Sequence, residues 1–119
     1  MEAEVFRKYG QTFWIPKQQS NSVAIVLSAP AENDIESILR YTLSTWGKDQ
    51  FENYFKMIQD TLSEIENNPK CLTCRQRKDL FAGCYSKSFG KHIVFYRIDN
   101  SRVEVIRILH QMMDHSSHF

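Results

Sequence analysis

Three cysteines and a histidine are the first residues in this 119-residue chain whose spacing suggests chemistry. Cys71 and Cys74 form a single C-x-x-C (CLTC), Cys84 follows, and His92 is available as a fourth ligand for a tetrahedral metal. A structural zinc site ordinarily shows two such pairs, because four thiolate or imidazole ligands must close the tetrahedron. A thioredoxin-like pair would open a helix directly after a strand, whereas CLTC follows Asn67, Asn68 and Pro69, which end a helix. The cysteines therefore read as ordinary reduced thiols in a loop, with no metal and no cofactor expected.

Charge is the second feature with chemical content. The net charge of +1 conceals a division: Pro30 to Pro69 holds eight acids against three bases, and Lys70 to Arg107 holds nine bases against three acids. Two readings stand side by side. The bases decorate a solvated sheet beside acidic helix faces, or they form an electrostatic site for an acidic partner or a phosphate backbone.

The elements that must position these groups centre on Gly90 to Asp114. Val, Ile, Phe and Tyr crowd His92 to Ile98 and Val103 to Leu109, with the turn-forming Asp99, Asn100 and Ser101 between them, which predicts a β-hairpin. A period of two puts Ile93 and Phe95 on one face and Val94, Tyr96 and Ile98 on the other. In the return strand, Val103, Val105 and Leu109 oppose Ile106 and Ile108. Both faces are apolar, so one requires the chain's own helices and the other an additional segment or a partner.

Upstream, Ser22 to Leu27 reads as a short buried strand. Ser28 caps a helix that runs to Trp46, with Pro30 in its first turn, an inner face of Ala31, Ile35, Ile38, Leu39, Thr42 and Trp46, and Gly47 as its exit. From about Lys48 to Asn67, Phe51, Tyr54, Phe55, Ile58, Leu62 and Ile65 keep a helical period, and Pro69 follows the stop. The short connection at Trp46-Gly47 makes these two an antiparallel helical hairpin. A polar loop, Lys70 to Asp79, leads to a strand near Ala82 to Phe89. The predicted fold is α+β: a helical hairpin packed on one face of a small, mainly antiparallel sheet in the order β-α-α-β-β-β.

One domain is expected over residues 22–119, preceded by an N-terminal arm, residues 1–21, that is weakly ordered or covers the sheet. Its Phe6, Tyr9, Phe13 and Trp14 follow neither helical nor strand period. No apolar run approaches membrane-spanning length and no signal peptide is legible, so no membrane association and a cytoplasmic location are expected.

From Ser22 onward the chain resembles the ParE toxins of bacterial type II toxin-antitoxin modules, within the wider ParE/RelE superfamily. The resemblance rests on Ala31, Asp34-Ile35, Ile38, Tyr41 and Trp46-Gly47, on Tyr54 and Pro69, and above all on HIVFYR at 92–97 and VIRILHQMMD at 105–114. It implies a small toxin paired with a cognate antitoxin whose disordered C-terminal region folds along it, with DNA gyrase as target. The arm and the cysteine-bearing loop depart from that pattern, and a GUG codon at Val23 would offer an alternative start.

Within the same superfamily the RelE branch consists of ribosome-dependent mRNA endonucleases, and a non-toxic binding module is a third reading. Cleavage through a 2′-hydroxyl needs an acid/base pair and cations on the phosphate. His110, Arg107 and Lys87 are the candidates for the nuclease alternative, with Tyr85, Tyr96, Arg77 and Lys91 as helpers. The ParE resemblance assigns no catalytic residue, and direct nucleic-acid binding is not expected. For antitoxin or target contact the candidates are Arg97, Arg107, Met112, Met113 and Phe119, the last three on a tail beside the sheet's end.

Overall fold

The structure, a computed structural model, describes residues 24–70, 73–99 and 102–119. The expected arm and the turn residues Asn100 and Ser101 lie outside them. Strand β1 (Ala24–Leu27) leads through Ser28 into helix α1 (Ala29–Trp46), and Gly47 alone separates α1 from helix α2 (Lys48–Asn67). Strands β2 (Arg75–Gln76), β3 (Cys84–Phe89), β4 (His92–Asp99) and β5 (Arg102–His110) follow, and a 3-10 turn spans His115–His118. The sheet order is β1-β5-β4-β3-β2, with β1 parallel to β5 and the other neighbours antiparallel. This is the expected α+β arrangement, extended by the two-residue β2 at an edge.

The helices form for the local reasons legible in their sequence. Ser28 Oγ accepts from Ala31 N at 3.1 Å, closing one of the orphan donors of the first turn. Gly47 has φ of +92°, a region that side-chain-bearing residues rarely adopt, so it can end one helix and begin the next in a single residue. Along α2 the stripe Phe51, Ile58, Leu62 and Ile65 is buried against the sheet, each side chain contributing about 1.5–3 kcal/mol by leaving water. Ala31, Ile35 and Leu39 of α1 join Val94, Tyr96, Val103, Val105 and Ile108 in the same core.

Trp46 departs from expectation. Placed on the inner face by its spacing, it is 65% exposed, and among the described residues it lines a groove instead of the core.

The return strand departs as well. Tyr96 pairs with Val105 but Phe95 pairs with Arg107, so Ile106 is an extra residue in β5. A bulge of this kind reverses the side-chain phase beyond it. Ile108 therefore joins Val103 and Val105 under the helices, and Leu109 moves to the opposite face with Phe95.

That opposite face is not left open. Leu80 and Phe81, from the loop before β3, pack with Cys84, Ile93, Phe95 and Leu109. The C-terminal tail then folds back over it: Phe119 meets the rings of Phe81 and Phe95 at 5.2 and 5.3 Å, and His115 lies 5.0 Å from Phe95. The additional segment that the two-sided hairpin requires is thus supplied largely by the chain's own end.

At the β1 side of the sheet, β1 stops opposite Val105 while β5 continues to His110. The start of α1 takes over the vacated edge. Ser28 Oγ donates to the Ile106 carbonyl at 2.7 Å, and Asp34 Oδ2 accepts from Ile108 N at 2.9 Å. Arg107 closes on the same carboxylate through Nε (2.7 Å) and Nη2 (2.9 Å).

Candidate functional site

A groove of about 890 Å³ opens between the helical hairpin and the turn joining β3 to β4. Tyr41 and Trp46 form its α1 wall, Tyr54 and Met57 its α2 wall, and His92 and His110 its sheet side. Tyr41 is 62% exposed, so both large aromatic residues of the α1 wall present apolar surface to solvent.

The floor is polar, with the Tyr54 hydroxyl at its centre. Tyr54 Oη lies 2.6 Å from His92 Nδ1 and accepts from the Lys91 N–H at 3.2 Å. Burial, reinforced by the nearby His110, pulls the His92 pKa down to about 4, so this ring is neutral at physiological pH. Burial likewise raises the Tyr54 phenol above its usual range, against the opposing Lys91 hydrogen bond. The His92 and His110 rings meet edge to face at 5.2 Å.

Gly90, with φ of +51°, makes this floor possible. A Cβ there would stand 2.7 Å from Tyr54 Oη. The turn backbone must come this close for Lys91 N to reach the phenol.

The residues named for nuclease chemistry are not brought together. His110 lies at the groove end of β5, its Nδ1 accepting from Met112 N at 3.0 Å. Arg107 is bound to Asp34, which raises its pKa further. Lys87, almost wholly buried on β3, donates to Thr73 Oγ1 at 2.6 Å and pairs with Glu64 at 3.3 Å. Tyr96 is buried, its hydroxyl donating to the Pro69 carbonyl, and Tyr85 stacks on it; both lie toward the other end of the hairpin from His110. Arg77 forms a bidentate pair with Asp79 and sits 5.8 Å above Phe95.

The residues named for partner contact are likewise dispersed. Arg97 is half-exposed and pairs across the strands with Glu104 at 2.8 Å. Met112, 81% exposed, and Met113 lie on the turn after β5, beside the groove, while Phe119 is turned onto Phe95. Cys84 is a free thiol that burial pushes up to about 11, and Cys74 is disulfide-bonded, which corrects its reading as a reduced thiol. Cys71 lies outside the described residues. Among the described residues no three His, Cys, Asp or Glu side chains cluster as a metal site, and no helix is long and apolar enough to cross a membrane.

Sequence reasoning missed Tyr54, His92 and the exposed faces of Tyr41 and Trp46 as parts of one site. One signal was present: a tyrosine on an otherwise apolar helical stripe carries a hydroxyl that needs a partner when buried.

Comparison with known proteins places these features in a family. Residues 25–115 match the ParE toxin of the type II toxin-antitoxin system, parDE. Toxin ParE1 of Caulobacter vibrioides is 36% identical over 92 residues, 77% of this chain and 93% of that protein. Toxin ParE1 of Mycobacterium tuberculosis is 33% identical over 90 residues, 75% of this chain and 90% of that one. Among solved structures, the chromosomal ParDE toxin-antitoxin system from P. aeruginosa aligns with a TM-score of 0.63 at 11% identity, covering 72% of this chain and 92% of the other. The toxin-antitoxin complex RelBE2 from Mycobacterium tuberculosis aligns at 0.53 and 18% identity, covering 75% and 98%. These two share the fold, and the sequence relatives share more: the chain belongs to the ParE toxin family of type II toxin-antitoxin systems.

Proposed function

We propose that the protein acts in the cytoplasm as a toxin that inhibits DNA gyrase and is neutralised by a cognate antitoxin seated in the groove between the helical hairpin and the β3–β4 turn. The observation that carries this reading is the groove itself, an open apolar trough with exposed Tyr41 and Trp46 on one wall. An amphipathic antitoxin segment can lay its apolar face there, with acidic residues toward exposed Lys91 on the sheet side. Affinity then comes chiefly from aromatic burial, which moderate salt does not screen.

Family membership supports gyrase as the target. The disposition of His110, Arg107 and Lys87 supports an inhibitor over a nuclease, because the two cations are engaged by carboxylates at separate places and do not converge with His110 on one phosphate. A supercoiling assay tests this. His110→Ala is expected to keep gyrase inhibition; ribosome-dependent mRNA cleavage that vanishes in the same variant would overturn the reading, since loss of an acid/base group typically costs about 10²–10⁴ in rate.

A further inference from the structure

We propose that the groove also takes a small-molecule ligand, a planar aromatic carboxylate whose ring lies among Tyr41, Trp46 and Met57 and whose anion is met by Lys91 and His110. Size and lining both suit such a ligand. At about 890 Å³ the groove falls in the range of about 300–1,000 Å³ that small-molecule sites occupy, where apolar walls carry a few placed polar groups. Tyr41 and Trp46 offer exposed ring surface on the α1 wall, and Met57 offers a polarisable thioether on the α2 wall. Both kinds of surface favour a flat aromatic body over a branched aliphatic one.

The sign of the ligand's charge comes from the sheet side. The lining includes Lys91 and no acid, and among the described residues no carboxylate pairs with the Lys91 ammonium. Gln111 N donates to the Lys91 carbonyl at 2.9 Å and His92 pairs in register with His110, so the β3–β4 turn and the end of β5 are held side by side. There the Met112 N–H donates to His110 Nδ1 at 3.0 Å. The ring's own hydrogen is therefore on Nε2, which has no partner among the described residues. One ammonium and one imidazole N–H with no opposing acid fit a single carboxylate, whose oxygens accept from both. A dianion such as a phosphate ester would leave charge unmatched in an apolar trough. Because Lys91 is exposed, ring burial supplies most of the affinity, and a ligand of about thirteen heavy atoms is expected to bind with a dissociation constant on the order of 0.1 mM. This occupancy does not depend on the antitoxin reading; only the mutual exclusion of ligand and antitoxin rests on it.

The test uses the full chain with 2-naphthoate as probe and 2-naphthamide as its uncharged isostere. Titrations followed by calorimetry and by nuclear magnetic resonance should show the acid binding about threefold to fivefold more tightly than the amide. Shifts are expected at the Trp46 indole N–H, the Lys91 amide and the His110 ring. Lys91→Gln should bring the acid down to the affinity of the amide and leave the amide unchanged, while Trp46→Ala should weaken both at least about tenfold. Both side chains are exposed, so neither substitution removes part of the core. Binding weaker than about 2 mM, equal affinity for acid and amide, or shifts that bypass Trp46 and Lys91 would overturn the proposal. Purified antitoxin separates the two readings, since at saturation it should exclude 2-naphthoate. Naphthoate binding that survives saturating antitoxin moves the antitoxin elsewhere and leaves the ligand site standing; a Trp46 shifted by antitoxin but not by naphthoate does the reverse.

Discussion

Replacing Asp34 should unlock the edge of β5, and the size of the loss can be worked from three contacts. Its carboxylate receives two hydrogen bonds from Arg107 at 2.7 and 2.9 Å and one from Ile108 N at 2.9 Å. The two side chains are 15% and 22% exposed, so this pair lies between surface and core. Removing one partner of a buried pair costs about 3–5 kcal/mol, because the other charge stays behind unpaired. Arg107 retains some access to water here, which puts Asp34→Ala at the lower end, about 3 kcal/mol. At about 4–8 °C per kcal/mol for a small domain, the midpoint of thermal unfolding should fall by about 12–24 °C.

The form of the loss tests the reasoning more sharply than its size. Asp34→Asn keeps an acceptor for Ile108 N but sets an amide against one guanidinium nitrogen, so it should cost about 1–2 kcal/mol. Arg107→Met in the Asp34→Ala background removes the orphaned charge and should recover about 1–2 kcal/mol. Urea and thermal denaturation followed by circular dichroism measure these three variants, Arg107→Met alone and the unsubstituted chain. An Asp34→Ala loss below about 1 kcal/mol, or strictly additive effects of Asp34→Ala and Arg107→Met, would show that α1 does not hold this edge through its carboxylate.

Three further outcomes are expected. His92 titrates near 4 in the folded chain, below its ordinary value of 6.5, so unfolding takes up a proton between those limits: stability is full above about pH 6.5 and declines by about 1–2 kcal/mol toward pH 4 once solvent screening of a half-buried ring is counted. Melts from pH 7 to 4.5 should show that slope flattened in His92→Gln, and an identical slope in both proteins refutes the assignment. Gly90→Ala should cost about 2 kcal/mol, through positive φ and the collision with Tyr54 Oη, with partial recovery in Gly90→Ala/Tyr54→Phe if the collision is the cause. In the tail, Met112→Ser/Met113→Ser should lower gyrase inhibition at least about tenfold with stability changed by less than about 0.5 kcal/mol, whereas Phe119→Ser should lose about 1–2 kcal/mol of stability and expose the Phe95 face to a hydrophobic dye.

These predictions divide along the line between what was legible in the sequence and what was not. The α2 stripe, the Ser28 cap, the single-residue break at Gly47 and the β4–β5 hairpin were all legible, because each depends on residues within a few positions of one another. The phase of β5 was not. Nothing in RVEVIRILH marks Ile106 as the bulged residue; that position is set by where β1 ends and α1 begins, through Ser28 and Asp34, more than seventy residues upstream. The role of Asp34 was illegible for the same reason: its partners Arg107 and Ile108 are distant in sequence.

The groove was illegible in a further sense, because its exposed wall is made of residues that sequence patterning assigns to the core or leaves unremarked. Trp46 continues the inner stripe of α1, yet among the described residues it stands exposed at the groove. His92 and His110 are likewise the first and last residues of paired strands, and they face each other only because the hairpin register brings its two ends level. The end of α1, a turn drawn close by Gly90 and the end of a hairpin together make a concave surface that none of them specifies alone. The polar floor also restricts what that surface can do. With the Tyr54 hydroxyl already engaged by His92 Nδ1 and the Lys91 N–H, an incoming segment needs to supply apolar groups and few hydrogen bonds, the condition under which a short aromatic stretch docks effectively.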